Sequence, residues 1–187
     1  MILYIHGYGG HGLGLKSSQL REYCKMRGVA FLAPSLSYIP DLAIQTLQEI
    51  IENLSGDVTL VGSSLGGFYA IYLASKYKLK AVLINPSIFP YETLLLAKGN
   101  FPHYYDGSKF EWNDKHIESL RRYEVKNVND ENFMLLLQKG DETLDYSKAA
   151  KKFSNAKLFI EEGGSHSFEG FERHFEKIVN FKEADIK

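Results

Sequence analysis

VTLVGSSLGGFY, residues Val58 to Tyr69, sets a β-branched apolar run directly against the start of a helix, with only Gly62 to Gly67 between them. Val58 to Val61 read as a buried strand and Phe68 to Leu73 as helix, so the connecting turn must be very sharp. Gly62, Ser64 and Gly66 fit GxSxG, the pattern in which a serine sits at the tip of a strained strand-to-helix turn with its hydroxyl exposed. The glycines have a mechanical reason, because strand and helix pass so close to the serine that a Cβ two residues before or after it would clash. Leu65 then supplies a backbone N–H at a helix N-terminus, where unpaired donors and the helix dipole favour an oxyanion.

Outward from this turn, strands and helices alternate. Ile2 to Ile5 is a short apolar strand, Gly7 to Gly14 a glycine-rich loop, and Ser17 to Arg27 a helix closed by Gly28. Val29 to Ala33 reads as a second strand ended by Pro34. A helix begins near Pro40 and Asp41, with Ala43, Ile44, Leu47, Ile50, Ile51 and Leu54 spaced by three and four residues on one face. After the turn helix, Gly67 to Lys76, come strands at Ala81 to Ile84, Phe133 to Leu137 and Lys157 to Ile160. A short helix is expected at Ser147 to Phe153 and a final helix at Phe171 to Phe181. Strands that are unbroken apolar runs, each followed by a helix, predict a three-layer α/β/α sandwich around a mostly parallel six-stranded sheet.

Between about 86 and 132 the alternation breaks, and this segment carries Phe89, Tyr91, Phe101, Tyr104, Tyr105, Phe110, Trp112 and Tyr123. It reads either as a lid or pocket wall, with Tyr105 and Trp112 as the candidate wall residues, or as aromatics packing a small secondary core. The 187 residues suit one domain over 1–187 with this segment as an insertion. A net charge of −1 offers no attraction for nucleic acid or an anionic membrane, and the expected partner is a small molecule. No apolar run reaches membrane length and no basic stretch precedes Ile2, so neither a spanning helix nor a signal peptide is expected and the protein is read as cytoplasmic. The only cysteine, Cys24, shares a helix face with Leu20 and Tyr23 and is expected to be a buried structural thiol.

A serine nucleophile needs an imidazole to take its proton and a carboxylate to orient that imidazole, in the chain order serine, acid, histidine for turns of this type. In parallel α/β sheets such groups belong in loops at the carboxyl ends of strands. The loop after the fifth strand is QKGDETLDY (138–146), and that after the sixth is EEGGSHSF (161–168). They nominate Asp141 and His166. Glu142 and Asp145 are alternative acids, with Asp145 also placed to cap the helix near Ser147. His174, inside the last helix, is a poor competitor as base. In the first loop, YIHGYGG (4–10), the His6–Gly7 pair is expected to aim the Tyr8 backbone N–H at the site as a second oxyanion donor, with His6 structural.

The same glycines admit a different function. Gly7, Gly9 and Gly12 satisfy GxGxxG after a strand, the pattern of a nucleotide- or dinucleotide-binding loop, but the second strand ends in Ala33, Pro34 and Ser35 without the ribose-binding acid. A phosphate loop fails likewise, with Leu15 where lysine is required. His6 and His11 lack the spacing of a metal site. A non-catalytic scaffold is a further alternative, which leaves the ordered Ser64, Asp141 and His166 without a purpose.

YIHGYGG, GSSLGG, INPSIFPYE, QKGDETLDY and EEGGSHSF together resemble the α/β-hydrolase superfamily, in particular the small bacterial YqiA-like esterases, across essentially the whole chain. The resemblance implies a compact α/β-hydrolase lacking the first two strands of larger members. It implies esterase or thioesterase action on an acyl substrate without a cofactor. Carried onto matching positions, it makes Ser64 the nucleophile, Asp141 the acid, His166 the base, and Tyr8 and Leu65 the oxyanion donors.

Overall fold

The computed structural model describes residues 1–183. In chain order its first elements are β1 (Ile2–Ile5), α1 (Leu15–Met26), β2 (Phe31–Leu32), α2 (Pro40–Asn53), β3 (Thr59–Ser63), α3 (Leu65–Tyr77) and β4 (Lys80–Ile84). The segment after β4 holds α4 (Pro90–Thr93), a 3-10 turn (Leu94–Ala97), β5 (Gly99–Pro102), β6 (Lys109–Trp112) and α5 (Asp114–Arg121). A second 3-10 turn (Asp130–Asn132) leads into β7 (Phe133–Gln138), α6 (Tyr146–Lys152) and β8 (Lys157–Glu161). A third (Phe171–His174) leads into α7 (Phe175–Glu183).

Six strands form one wholly parallel sheet in the order β2-β1-β3-β4-β7-β8. Register converts the alternation of each strand into two layers. The row Leu3, Leu60, Ala81, Phe133 joins the core under α2, α3 and α6, while the row Tyr4, Val61, Val82, Met134 joins the opposite core with Leu20 and Cys24 of α1 and Ile178 and Val179 of α7. This is the three-layer sandwich read from the sequence. Among the described residues no helix is long and apolar enough to cross a membrane.

The second strand is shorter than the expected Val29 to Ala33. The Val29 N–H is used to close α1 on the Cys24 carbonyl (2.8 Å), so pairing with β1 starts only beyond it. The turn helix α3 begins at Leu65, not Gly67, because the Ser64 carbonyl already accepts from the Gly67 N–H at 2.9 Å.

Residues 86–132 are more regular than their composition suggests. β5 and β6 form an antiparallel hairpin separate from the main sheet, and Asn113 with His116 closes a capping box on α5. Trp112 is 1% exposed, and its indole N–H donates to the Leu94 carbonyl at 3.1 Å. Around it lie Tyr8 at 4.9 Å and His116 at 5.1 Å between ring centroids. Of the two readings of the aromatic segment, packing describes Trp112. Trp112→Ala is therefore expected to destabilise the protein by about 3–5 kcal/mol, through the cavity and the unpaired Leu94 carbonyl. Denaturant unfolding checks this; a loss below about 1 kcal/mol would exclude a core role.

Candidate active site

Ser64 sits between β3 and α3 at φ 55° and ψ −120°, a backbone region that residues with a Cβ rarely occupy. The surrounding structure holds it there. Its N–H donates to the Ile84 carbonyl (3.1 Å) and its carbonyl accepts from Ser87 (3.0 Å) as well as Gly67. The flanking glycines are required by close approach, since a Cβ on Gly62 would lie 2.3 Å from the Gly66 carbonyl oxygen and one on Gly66 2.1 Å from that of Ile5.

His166 Nε2 lies 3.0 Å from Ser64 Oγ, and its Nδ1 lies 3.0 and 2.9 Å from the two Asp141 carboxylate oxygens. The structure thus brings together three side chains from the ends of β3, β7 and β8. The Asp141 side chain is 2% exposed, and its Oδ1 also accepts from the N–H groups of Thr143 (2.9 Å) and Leu144 (2.8 Å), which locks it toward the imidazole. The competing acids have other partners. Glu142 Oε2 accepts from the His166 backbone N–H at 2.9 Å, and that bond holds its carboxyl below the usual range. Asp145 caps α6 through the Ser147 N–H at 2.9 Å. His174 is buried and pairs with Glu161 at 2.9 Å.

The first loop closes over this group, and a Cβ placed on Gly7 would lie 3.1 Å from that of Ser64. His6 anchors the loop, with Nδ1 2.8 Å from the Gly7 carbonyl and Nε2 accepting from the Leu36 N–H at 2.9 Å. The tautomer is set by these bonds: Nδ1 carries the proton. The Tyr8 ring is gripped by Phe101, Phe110 and Trp112, at 4.6, 5.6 and 4.9 Å between centroids. Tyr8 and Leu65 border one small cavity of about 20 Å³, and Tyr8 also borders the larger cleft that contains Ser64.

Burial, opposed in part by the Gly7 hydrogen bond and reinforced by His11 and His103, lowers the His6 pKa from 6.5 to about 4. The unfolded chain therefore binds a proton that the folded protein refuses between these values, and stability falls as pH drops from 6.5 toward 4. The loss should reach roughly 3 kcal/mol from this group. Denaturation midpoints at several pH values in this window, compared with His6→Gln, read it. An unchanged acid dependence in the variant would show that the His6 proton plays no part.

The cleft has a volume of about 1200 Å³. One wall is the insertion, through Thr93, Leu94, Leu96, Ala97, Phe101 and Tyr104; the other includes Lys16, Gln19, Ser167, Glu169 and Glu172. Neither candidate wall residue lines it. Trp112 is buried in the same core as Leu60 and Phe68, and Tyr105, 65% exposed, packs edge-on against His11. Aromatic composition could not distinguish them from Phe101 and Tyr104, which face the cleft because of where the hairpin lies. Also not singled out in the sequence were Asn85 and Gln138, buried amides that hold the His166 loop; a polar residue at the carboxyl end of a core strand was the available signal. Among the described residues no group of three or more His, Cys, Asp or Glu side chains is arranged to hold a metal ion. Cys24 is buried in the core beneath α1.

The sequence profile of the Uncharacterised protein family UPF0227 matches residues 1–183. The chain belongs to the UPF0227 family. A UPF0227 protein of Citrobacter koseri is 24% identical to it over 187 residues, covering 97% of this chain and 98% of the relative. The UPF0227 protein YcfP of Salmonella gallinarum is 24% identical with the same coverage. Among solved structures, Est1E of Butyrivibrio proteoclasticus with bound ferulic acid superposes with a TM-score of 0.72 at 16% identity, over 96% of this chain and 86% of Est1E. Mouse alpha/beta hydrolase domain-containing protein 10 gives 0.75 at 18% identity, with coverage of 97% and 89%. A monoacylglycerol lipase of Paleococcus ferrophilus gives 0.73 at 16% identity, with coverage of 97% and 93%. This UPF0227 member therefore has the α/β-hydrolase fold.

Proposed function

We propose that the protein is a serine hydrolase that cleaves a carboxylic ester or thioester of a small acyl substrate through an acyl-enzyme on Ser64. The observation that carries this reading is the unbroken chain from Ser64 Oγ through the His166 ring to the Asp141 carboxylate, placed on a strained turn beside an open cleft. His166 Nε2 takes the Ser64 proton as Oγ attacks the carbonyl carbon, and Asp141 stabilises the resulting imidazolium. The N–H groups of Tyr8 and Leu65 receive the oxyanion. His166 then returns the proton to the departing alcohol or thiol, and a water activated by the same imidazole releases the acid and regenerates Ser64. The chain is read as one α/β-hydrolase unit, with the 86–132 insertion supplying a wall of the cleft.

The nucleotide-loop alternative has less support. The Gly7 to Gly14 segment commits the N–H donors a phosphate would need: Gly10 to the Gly7 carbonyl (3.1 Å), Gly12 to Ser35 Oγ (3.1 Å), Leu13 to His11 Nδ1 (3.3 Å) and Gly14 to the His11 carbonyl (3.2 Å).

A fluorophosphonate probe, with the modified peptide located by mass spectrometry and p-nitrophenyl ester hydrolysis followed alongside, tests the proposal. Label confined to Ser64 and lost in His166→Ala is the expected result. A folded protein that neither takes the label nor turns over ester would overturn the reading.

A further inference from the structure

Nucleophile and base come from residues 102 positions apart in the chain, yet they meet at 3.0 Å. A single turn touches the backbone of both. The Ile84 carbonyl and the Ser87 N–H bracket the Ser64 peptide groups at 3.1 and 3.0 Å. Between them, the Asn85 side chain donates to the Ser165 carbonyl (3.0 Å) and, at 3.4 Å, to that of His166 itself. Its own Oδ1 accepts from the Gln138 N–H at 3.0 Å, and its backbone N–H donates to Leu136 at 3.0 Å.

Gln138 completes the clamp. Its Nε2 donates to Glu161 and to the Glu169 carbonyl, both at 2.8 Å, and its Oε1 accepts from Ser165 (3.1 Å) and Glu169 (2.9 Å). Both donors and both lone pairs of that amide are used. Asn85 and Gln138 are 3% and 2% exposed, which shields their side of these bonds from bulk water. Asn85 also adopts φ 37°, a left-handed conformation that asparagine tolerates better than other residues carrying a Cβ.

We infer that Asn85 is a positioning residue for the reaction, setting the separation of Ser64 Oγ and His166 Nε2 by tying the His166 loop to the turn that holds the Ser64 backbone. This rests on Ser64 and His166 acting as nucleophile and base. Displacing a base by about an ångström costs on the order of a hundredfold in rate, whereas the insertion wall of the cleft (Thr93, Leu94, Leu96, Ala97, Phe101 and Tyr104) lies outside the loop that Asn85 ties.

The test is the rate of fluorophosphonate labelling at Ser64, together with kcat and KM on a p-nitrophenyl ester, in three variants. Asn85→Gly keeps the positive φ while removing the amide. Asn85→Asp keeps the acceptor for Gln138 but turns lone pairs toward the Ser165 and His166 carbonyls, and it serves as the test should the glycine variant not fold. Phe153→Leu, in the core under α6, measures what destabilisation alone does. Labelling and kcat reduced about 10–100-fold with KM within about twofold, in Asn85 variants only, is the expected result. Labelling near the wild-type rate in a folded Asn85 variant, or an equal loss in Phe153→Leu, overturns the inference. A wild-type protein that takes no label removes the hydrolase reading beneath it, which is a different failure.

Discussion

Ser64→Ala is expected to lower kcat on a p-nitrophenyl ester by about 100,000-fold while leaving the fold in place. Alanine keeps the Cβ that the turn already accommodates at φ 55°, and the backbone bonds to Ile84 and Ser87 do not involve the hydroxyl. What disappears is the atom that His166 Nε2 faces at 3.0 Å. His166→Ala should cost nearly as much, and the double variant little more than either alone, because in the proposed mechanism the two groups act in one step. Steady-state kinetics with thermal unfolding of the same samples decides the matter. Activity within about tenfold of wild type in folded Ser64→Ala would mean that this serine is not the nucleophile.

Asp141→Asn carries the next largest effect, a loss of about 10,000-fold in kcat. The turn explains why the substitution is severe although nearly isosteric. The Thr143 and Leu144 N–H groups hold one side-chain oxygen at 2.9 and 2.8 Å, so the new amide nitrogen is directed at His166 Nδ1. A donor there forces the ring proton onto Nε2, and the imidazole can no longer accept from Ser64. Glu142→Gln, which alters only the bond to the His166 backbone, should lose less than about tenfold. Asp145→Ala removes a helix cap and lowers stability without a direct effect on turnover. Kinetics of the three variants side by side separate these roles. A larger loss in Glu142→Gln than in Asp141→Asn would assign the orienting carboxylate to Glu142.

These three acids show how far a loop sequence carries. QKGDETLDY places Asp141, Glu142 and Asp145 within one turn, and position in the loop favoured Asp141. Only the folded loop shows that one carboxylate meets the ring, one the backbone and one a helix. The aromatic insertion shows the opposite limit. Its segments are short, and aromatics on both sides of a hairpin look alike in sequence, so Tyr105 and Trp112 were no better marked than Phe101 and Tyr104.

The sequence by itself determined the layered α/β architecture and the sharp turn around Ser64, because these depend on local forces, and it nominated Asp141 and His166 by their places in the loops after later strands. Apolar runs bury as strands, spacings of three and four make helix faces, and a glycine pair permits a close crossing. Tertiary structure alone decided which aromatics face the cleft, which acid meets His166, and how Asn85 and Gln138 join the loops from different strands. Those contacts link residues 25 to 81 positions apart. A polar side chain acquires its partner only when the sheet brings distant strand ends together, and one chain's residue order does not encode that distance locally.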